Sequence, residues 1–530
     1  MNLPLTPIRC LYRAVDLYGR REGIICGDLR FTYAQFGERC ERLAAGLRAE
    51  GVDPGDRVAF LSFNTHQLLE GYYGPLLIRA IAMPLNVRLT PTELIEILNH
   101  AEASVLIFEN DFAPLVDGFR KACPSIRRYV NVGGAIPQAD LSYEELLSPG
   151  RLERPGLRSF NEDEIAELFY TSGSTGSPKG VMLSHRTLYL HALGVTGSMQ
   201  QSDRVVELHT IPLFHANGWG RPQTATMNGC KQVMVRRFEP VSVMRLIQDE
   251  RATSMSVVPV MANALLNCPR LGEFDTSSLE EISIGGAAAS VELIARMEKA
   301  FHCVVMGGYG LTETSPVVSS AHYKTGVQYE SEEDRLHHLA RAGWAILGTE
   351  IKVVDIHGDD VPRDMQTVGE VLIRSDNVMD GYFRDAKATA AVMQDDWLHT
   401  GDMAVWDDES YIHIVDRKKD IIVSGGENIS SIEIERAIFA HPAVLECAVV
   451  GAPDPKWGEI PVAIVVLKPG GQLCQAELIA FLERTVAKFK LPRLVLFEKE
   501  PLPKTGTGKI LKRELREAFW EGMERRVQGG

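Results

Sequence analysis

A short apolar run that ends in a glycine- and serine-rich segment constrains the fold of this chain more than any other feature. Residues 165–170 are largely apolar and predict a short buried strand. Residues 171–180 (TSGSTGSPKG) then hold three glycines, three serines, two threonines, one proline and one lysine, too few apolar groups to form a core. Such a segment can present backbone N–H groups and hydroxyls to an anion, with Lys179 adding a positive charge. We therefore predict an anion-binding loop after a strand of an α/β fold, although flexible surface loops have a similar composition.

The loop differs from a Walker A loop, because Pro178 stands where a second glycine would precede the lysine. The residues that this segment offers to a phosphate are Thr171, Ser172, Gly173, Ser174, Thr175, Gly176 and Lys179.

Length and composition restrict the class of protein. A chain of 530 residues predicts two or more domains. Its net charge of −14 argues against a nucleic-acid-binding surface, and no apolar stretch approaches the roughly 18–20 residues of a membrane span. The N-terminus shows no signal-peptide pattern. Nine cysteines without CxxC spacing favour reduced thiols and a cytoplasmic location.

The order of predicted elements divides the chain. Residues 1–325 alternate between strand and helix patterns, among them a helix over 66–78, and this is typical of parallel βα units. Short β-rich runs follow from about residue 343 to 417, and residues 418–530 predict a small α+β domain in which Ser430 and Glu433 form a capping box. The predicted boundary lies between residues 417 and 418, with the large domain first.

Two motifs follow predicted strands, where open α/β sheets bind ligands. In PLFHANGWG (212–220), His215, Asn217 and Trp219 are candidate ligand contacts, with a core histidine and tryptophan as the alternative. In EISIGGAAA (281–289), the small residues Gly285, Gly286 and Ala287 would let a flat ring lie against the backbone.

The motif GGYGLTET (307–314) combines three kinds of phosphate and nucleotide contact. Tyr309 can stack on a base, Thr312 can donate to a phosphate, and Glu313 is a hard oxygen ligand suited to Mg²⁺. The alternative is a helix start, with Thr312 as the N-cap and Glu313 in the first turn.

Five further candidate residues carry charge in the second half of the chain. Asp402 in HTGDMAVW can accept two hydrogen bonds from a vicinal diol. Arg417 and Lys419 stand in the charged run DRKKD, which alone would suggest a solvated turn. Lys509 follows a Gly-Thr-Gly turn, and Lys504 precedes it.

These motifs, in this order, resemble the adenylate-forming family, which contains acyl-CoA synthetases, luciferases and the adenylation domains of peptide synthetases. The resemblance extends from about residue 25 to 515. It implies that a carboxylate attacks the α-phosphate of ATP, that pyrophosphate leaves, and that CoA thiolate then displaces AMP. It also implies a mobile C-terminal domain that turns about Lys419.

The resemblance assigns roles to the motif residues. Catalysis is assigned to Lys509, Thr312, Glu313 and His215. Nucleotide binding is assigned to residues 171–176, Lys179, Gly286, Ala287, Gly308, Tyr309, Gly310, Thr312, Asp402 and Arg417. The acyl pocket is assigned to His215, Asn217, Trp219, Gly285 and Gly310, and CoA or hinge contacts to Lys419, Gly425 and Gly426. Glu313 would bind Mg²⁺, with Thr175 as a second candidate.

The resemblance also bears on the acid. Acetate-specific relatives carry a pocket-blocking tryptophan where this chain has Gly310, so an acyl group larger than acetyl is expected. Trp219 would shorten the pocket against long chains, which favours a short- to medium-chain or related carboxylate. Three alternatives stay open: an enzyme that loads an acyl carrier protein, a luciferase-like oxidation for which the sequence offers no positive sign, and an inactive nucleotide sensor. A homodimer is also left open.

Overall fold

The computed structural model describes residues 2–171, 178–424, 427–504 and 510–520. In chain order its strands are β1 (Glu22–Cys26), β2 (Leu29–Thr32), β3 (Arg57–Leu61), β4 (Ile81–Pro84), β5 (Ala103–Phe108), β6 (Arg128–Asn131), β7 (Leu141–Ser142), β8 (Ile165–Thr171), β9 (Lys179–Ser184), β10 (Val206–His209), β11 (Lys231–Met234), β12 (Ser254–Val257), β13 (Glu281–Ile284), β14 (Val304–Gly310), β15 (Val317–Ser320), β16 (Trp344–Ala345), β17 (Thr349–Val354), β18 (Gly369–Ser375), β19 (Gly381–Tyr382), β20 (Met393–Gln394), β21 (Trp397–Trp406), β22 (Ile412–Arg417), β23 (Ile422–Ser424), β24 (Glu427–Ile429), β25 (Val444–Asp454), β26 (Gly458–Leu467) and β27 (Leu494–Glu498).

The helices connect these strands. They are α1 (Ile8–Tyr18), α2 (Tyr33–Ala49), α3 (His66–Gly71), α4 (Gly74–Leu77), α5 (Pro91–Ala101), α6 (Ala113–Ala122), α7 (Tyr143–Leu146), α8 (His185–Ser198), the single turn α9 (Ala216–Trp219), α10 (Arg221–Asn228), α11 (Pro240–Glu250), α12 (Pro259–Leu266), α13 (Val291–Phe301), α14 (Glu332–Leu339), α15 (Ala386–Val392), α16 (Ser431–Phe439), α17 (Gln475–Leu482) and α18 (Lys512–Trp520).

Two compact units divide the chain. The first comprises Met1–Ile351, Ile373–Leu398 and Glu409–Ile412, and the second comprises Lys352–Leu372, His399–Asp408 and His413–Gly530. The second unit therefore contains part of the β-rich segment as well as the C-terminal region. The functional boundary at residues 417 and 418 stays a prediction.

The first unit contains two large sheets. In each sheet the central strands run parallel to one another, which confirms the predicted α/β class. One sheet has nine strands in the order β16-β15-β14-β13-β12-β10-β11-β1-β2, and the other has eight in the order β19-β9-β8-β4-β3-β5-β6-β7. The neighbours from β14 to β1 and from β8 to β7 run parallel. Connecting helices cover the sheets and bury an apolar core against each, as βα crossovers require.

The β-rich segment forms a five-stranded sheet in the order β17-β18-β21-β20, with β22 on β21. In the second unit, β24-β23-β26-β25 and β27 form another five-stranded sheet. Its two faces carry separate apolar clusters, one of which includes residues of α16 and α17. Among the described residues, no helix has both the length and the apolarity that crossing a membrane requires.

Two local predictions need correction. The helix expected over 66–78 is two short helices, α3 and α4, because Pro75 cannot continue a helix that began upstream. The capping box expected at α16 is half formed. Ser430 Oγ accepts a hydrogen bond from Glu433 N, but the Glu433 carboxylate pairs with Lys490 Nζ at 2.7 Å instead of returning to the cap.

Candidate active site

The strands β8 and β9 bring the two described ends of the glycine-rich segment together. They pair antiparallel, and Thr171 lies opposite Lys179. Ser172, Gly173, Ser174, Thr175 and Gly176 lie outside the described residues, so their assignment to phosphate, and that of Thr175 to a metal, stay predictions.

The end of strand β14 places Glu313 near Lys179. After β14, Thr312–Thr314 form a single 3₁₀ turn, and the Glu313 carbonyl accepts a hydrogen bond from Met379 N at 2.8 Å. The Tyr382 hydroxyl donates to Glu313 Oε1 at 2.8 Å, and Lys179 Nζ lies 4.7 Å from the centroid of the same ring. One tyrosine therefore links the predicted phosphate cation to the predicted metal ligand.

Sequence reasoning missed Tyr382. It lies in β19, which pairs antiparallel with β9 so that Tyr382 is opposite Val181. Nearly 200 residues separate these strands along the chain, so no local pattern announces the contact. Burial and the neighbouring Glu313 carboxylate raise the pKa of Tyr382, so the hydroxyl stays a donor at neutral pH.

The strands β13 and β14 bring the small-residue segment beside Tyr309. They are parallel, with Ile284 opposite Gly307, and a Cβ atom at Gly285 would lie 3.3 Å from the Gly308 carbonyl oxygen. Gly286 and Ala287 are exposed just beyond this point. An exposed backbone of small residues lets a flat base approach closely.

The indole of Trp219 covers the same strand end. A Cβ atom at Gly285 would lie 3.0 Å from Trp219 Cη2, and one at Gly286 would lie 3.5 Å from Cζ2. His215 stands immediately before α9, and Asn217 is buried within it. The structure thus brings Trp219 and Gly285 of the predicted acyl pocket into contact.

Gly310 has a different reason to be glycine from the one that the sequence suggested. A Cβ atom there would lie 1.9 Å from the Pro316 carbonyl oxygen and 2.9 Å from Val317 Cα. The backbone of β15 therefore occupies the space next to Gly310. The expectation that this glycine opens the pocket is wrong in its physical reason, because close backbone packing explains the residue.

In the second unit, Asp402 and Arg417 form an ion pair. Arg417 Nε lies 3.3 Å from Asp402 Oδ1, and the aspartate is nearly buried while the arginine is half exposed. The adjacent Gly401 N donates to Glu370 Oε1 at 3.2 Å, and Glu370 Oε2 pairs with Lys418 Nζ at 3.0 Å. These contacts hold a carboxylate and a guanidinium side by side, as binding of a sugar or phosphate requires.

The remaining predicted residues divide into two groups. Gly425, Gly426 and Lys509 lie outside the described residues. Burial lowers the pKa of Lys419, and Lys504 pairs with Glu446 at 2.5 Å, so Lys504 already has an anionic partner.

A magnesium ion fits the donor set at Glu313. Mg²⁺ in phosphoryl-transfer sites binds through one or two carboxylates together with water and substrate phosphates. Within the described part of the chain no group of three or more histidine, cysteine or acidic residues could hold a metal by itself. A single oriented carboxylate near Lys179 suits a metal that arrives with a nucleotide.

Comparison with known proteins identifies the class. The family model described as AMP-binding enzyme matches residues 11–383, and the model described as AMP-binding enzyme C-terminal domain matches residues 433–509. A long-chain-fatty-acid–CoA ligase of Thermus thermophilus is 40% identical over 519 residues, which cover 96% of this chain and 94% of that protein. A peroxisomal butyrate–CoA ligase of Arabidopsis thaliana is 35% identical, over 97% of this chain and 93% of that protein.

Solved structures agree. The crystal structure of an anthranilate CoA ligase in complex with anthranoyl-AMP superposes with a TM-score of 0.87 at 27% identity, covering 98% of both chains. The chain belongs to the AMP-binding enzyme family. It is an AMP-forming acid–thiol ligase of the acyl-CoA synthetase type, which uses ATP and CoA as co-substrates.

Proposed function

We propose that this ligase activates a short- to medium-chain fatty acid, or a related carboxylate larger than acetate, as its CoA thioester. The observation that carries the proposal is the contact of the Trp219 indole with Gly285. If these residues line the acyl pocket, the bulky ring would limit its length. The lower limit rests on the resemblance alone, because Gly310 packs against backbone and its surroundings do not bear on the pocket. Of the two relatives described above, the one named for butyrate falls within this range and the one named for long-chain fatty acids falls above it.

The residues of the first unit meet the electrostatic need of the first step. A carboxylate must attack the α-phosphate of ATP although both are anions, so positive charge and donors must be held ready. Lys179 and the Thr312 hydroxyl would contact phosphate oxygens, and Glu313, oriented by Tyr382, would hold the metal. When bound, Mg²⁺ neutralises phosphate charge.

Fewer charged residues are assigned to the acid and the nucleoside than to the phosphates. His215 would orient the reacting carboxylate, with Asn217, Trp219 and Gly285 around the acyl chain. Tyr309, Gly308, Gly286 and Ala287 would enclose the adenine, and Gly310 would supply backbone beside them. Asp402 and Arg417, which form an ion pair, would bind the ribose.

The C-terminal assignments rest on the sequence alone. Lys509 would neutralise charge in the adenylation step, and Gly425 and Gly426 would contact the pantetheine of CoA in the second step, with Lys419 as the hinge. The acyl-adenylate is already an activated ester, so the CoA thiolate can displace AMP without a protein nucleophile. We further propose a cytoplasmic location, in accord with nine free cysteines. A homodimer stays a prediction.

The test is a panel of acids with ATP, Mg²⁺ and CoA. Acetate, butanoate, hexanoate, octanoate, palmitate, benzoate and ferulate would be compared by kcat/KM for thioester formation. We expect the maximum between butanoate and octanoate. A maximum at acetate or palmitate would overturn the assigned size range. Pyrophosphate release without formation of a thioester from free CoA would point to a carrier protein as acceptor. No turnover with any of the acids would point to a nucleotide sensor.

A further inference from the structure

An unusual backbone segment carries Trp219. The five consecutive residues from Ala216 to Gly220 all have positive φ, and three of them, Ala216 (45°), Asn217 (41°) and Trp219 (62°), are not glycine. This conformation costs roughly 1–2 kcal/mol for each residue with a Cβ atom. Such a left-handed turn persists only where its surroundings fix it.

The Asn217 side chain provides that constraint from inside the turn. It is buried, and its Oδ1 accepts a hydrogen bond from Gly220 N at 2.6 Å, which closes the turn. Its Nδ2 donates to Glu167 Oε2 at 3.2 Å. The turn follows β10 of the nine-stranded sheet, and Glu167 lies on β8 of the eight-stranded sheet. The asparagine therefore connects the backbone of the turn to the other large sheet.

Glu167 contacts both the turn and the helix that follows it. It lies on β8, is fully buried, and accepts a second hydrogen bond at Oε1 from Gln223 Nε2 at 2.7 Å. Gln223 belongs to α10, which starts directly after the turn. A carboxyl group has an acceptor for each of the two amides, whereas a glutamine in its place would have to turn an NH₂ group toward one of them.

A carboxyl group buried at this position needs an explanation. Burial raises the pKa of Glu167 to about 8, although both amide hydrogen bonds oppose the shift. The site thus keeps a group that is costly to bury, and its two partners are the turn that carries Trp219 and the helix that follows.

We propose that Glu167 is a positioning residue that sets acyl selectivity, because through Asn217 it fixes the left-handed turn that holds Trp219 over Gly285. The inference rests on the proposed function, since it takes Trp219 to limit the acyl pocket. Among the described residues, the side-chain hydrogen bonds of Glu167 go to Asn217 and Gln223 and not to Glu313 or a predicted nucleotide contact, so its influence is expected on the acid and not on ATP.

The experiment compares Glu167→Gln with the matched control Glu70→Gln. Glu70 is also fully buried, and it accepts hydrogen bonds from Arg39 Nε at 2.6 Å and Tyr143 Oη at 2.7 Å, away from the turn. For Glu167→Gln we expect KM for the preferred acid to rise about tenfold, the scale of one lost buried hydrogen bond, with KM for ATP within about twofold of the wild type. The chain-length profile should broaden toward longer acids, and Glu70→Gln should keep the wild-type profile.

A second variant covers the case in which a change at Glu167 impairs folding. Asn217→Gly removes the link to Glu167 but tolerates positive φ, so it should fold and show the same change in acid profile. If the wild type turns over acids while Asn217→Gly or a folded Glu167→Gln keeps its profile and its KM values, this inference alone is overturned. A wild type without turnover on any acid overturns the proposed function and this inference with it.

Discussion

The hydroxyl of Tyr382 donates a 2.8 Å hydrogen bond to Oε1 of Glu313, and its ring lies 4.7 Å from Lys179 Nζ. The contact joins an acidic residue of the GGYGLTET motif to the lysine of the phosphate segment through a residue that neither motif contains. It fixes the direction of a carboxylate that would otherwise rotate. The same ring face offers an attractive surface for the ammonium group.

Tyr382→Phe should lower adenylation while it keeps the ring. Loss of the hydrogen bond leaves Glu313 less well oriented, and we expect acid-dependent pyrophosphate release to fall about tenfold, compared with about 10²-fold or more for Glu313→Gln, which removes the charge. Tyr129→Phe is the control, because the buried Tyr129 hydroxyl has no hydrogen-bond partner among the described residues. Equal rates for Tyr382→Phe and the wild type would show that Glu313 needs no such orientation.

Gly310→Ala should reduce stability and not merely change the preferred acid. The new Cβ would lie 1.9 Å from the Pro316 carbonyl oxygen, and overpacking of this kind costs about 1–3 kcal/mol. Gly308→Ala on the same strand is the control, since the nearest atom to its Cβ is the Ser319 carbonyl oxygen at 3.4 Å. The measurement is urea unfolding of both variants. Wild-type stability for Gly310→Ala, with a shift toward acetate, would restore the view that residue 310 faces an open pocket.

These residues show what the sequence could and could not predict. The parallel βα architecture and the motif residues were accessible because hydrophobic periodicity and polar residues after strands are local patterns. Tyr382 was not, since its role depends on the pairing of β19 with β9. Gly310 was misinterpreted because a glycine gives no sign of which backbone approaches it. Pro75 is different, because a proline inside a predicted helix is itself a local sign that the helix over 66–78 is interrupted.

Arg221→Met should destabilise the protein strongly. The Arg221 side chain is 5% exposed and lies 3.8 Å from both Glu207 and Glu281, so its removal leaves two carboxylates without their cation. Removing one partner of a buried pair costs about 3–5 kcal/mol. Arg251→Met is the control, because Arg251 and Asp275 form an exposed pair worth about 0–1 kcal/mol. Similar losses in urea unfolding for the two variants would contradict this assignment.

Stability should fall as the pH rises through the range in which Glu167 ionises. Its folded pKa of about 8 lies above its ordinary value of 4.5, so between these values the native state holds a proton that the unfolded state has released. The stabilisation is complete below the ordinary pKa and is lost as the pH approaches and passes 8. Glu167→Gln cannot ionise, so its free energy of unfolding should fall less between pH 5 and 8, by up to about 1.4 kcal/mol per pH unit.

Glu70→Gln serves as the comparison in that series. Burial raises the pKa of Glu70 to about 7, so its effect should end about one pH unit earlier than that of Glu167. Identical pH profiles for the wild type and Glu167→Gln would mean that Glu167 ionises at the same pH in the folded and unfolded states.

In the proposed function, the reaction passes through an acyl-adenylate, and the formation of this intermediate and its conversion to the thioester have different requirements. Lys509 lies outside the described residues, and its role rests on its place in the sequence. The decisive measurement is single turnover of each half-reaction for the wild type and Lys509→Ala, with butanoate for adenylation and supplied butanoyl-adenylate for thioester formation. We predict pyrophosphate release by the wild type without CoA, a loss of about 10²–10⁴-fold in that step for Lys509→Ala, and near-wild-type thioester formation by the variant. Pyrophosphate release that requires CoA, or equal losses in both steps, would contradict the account.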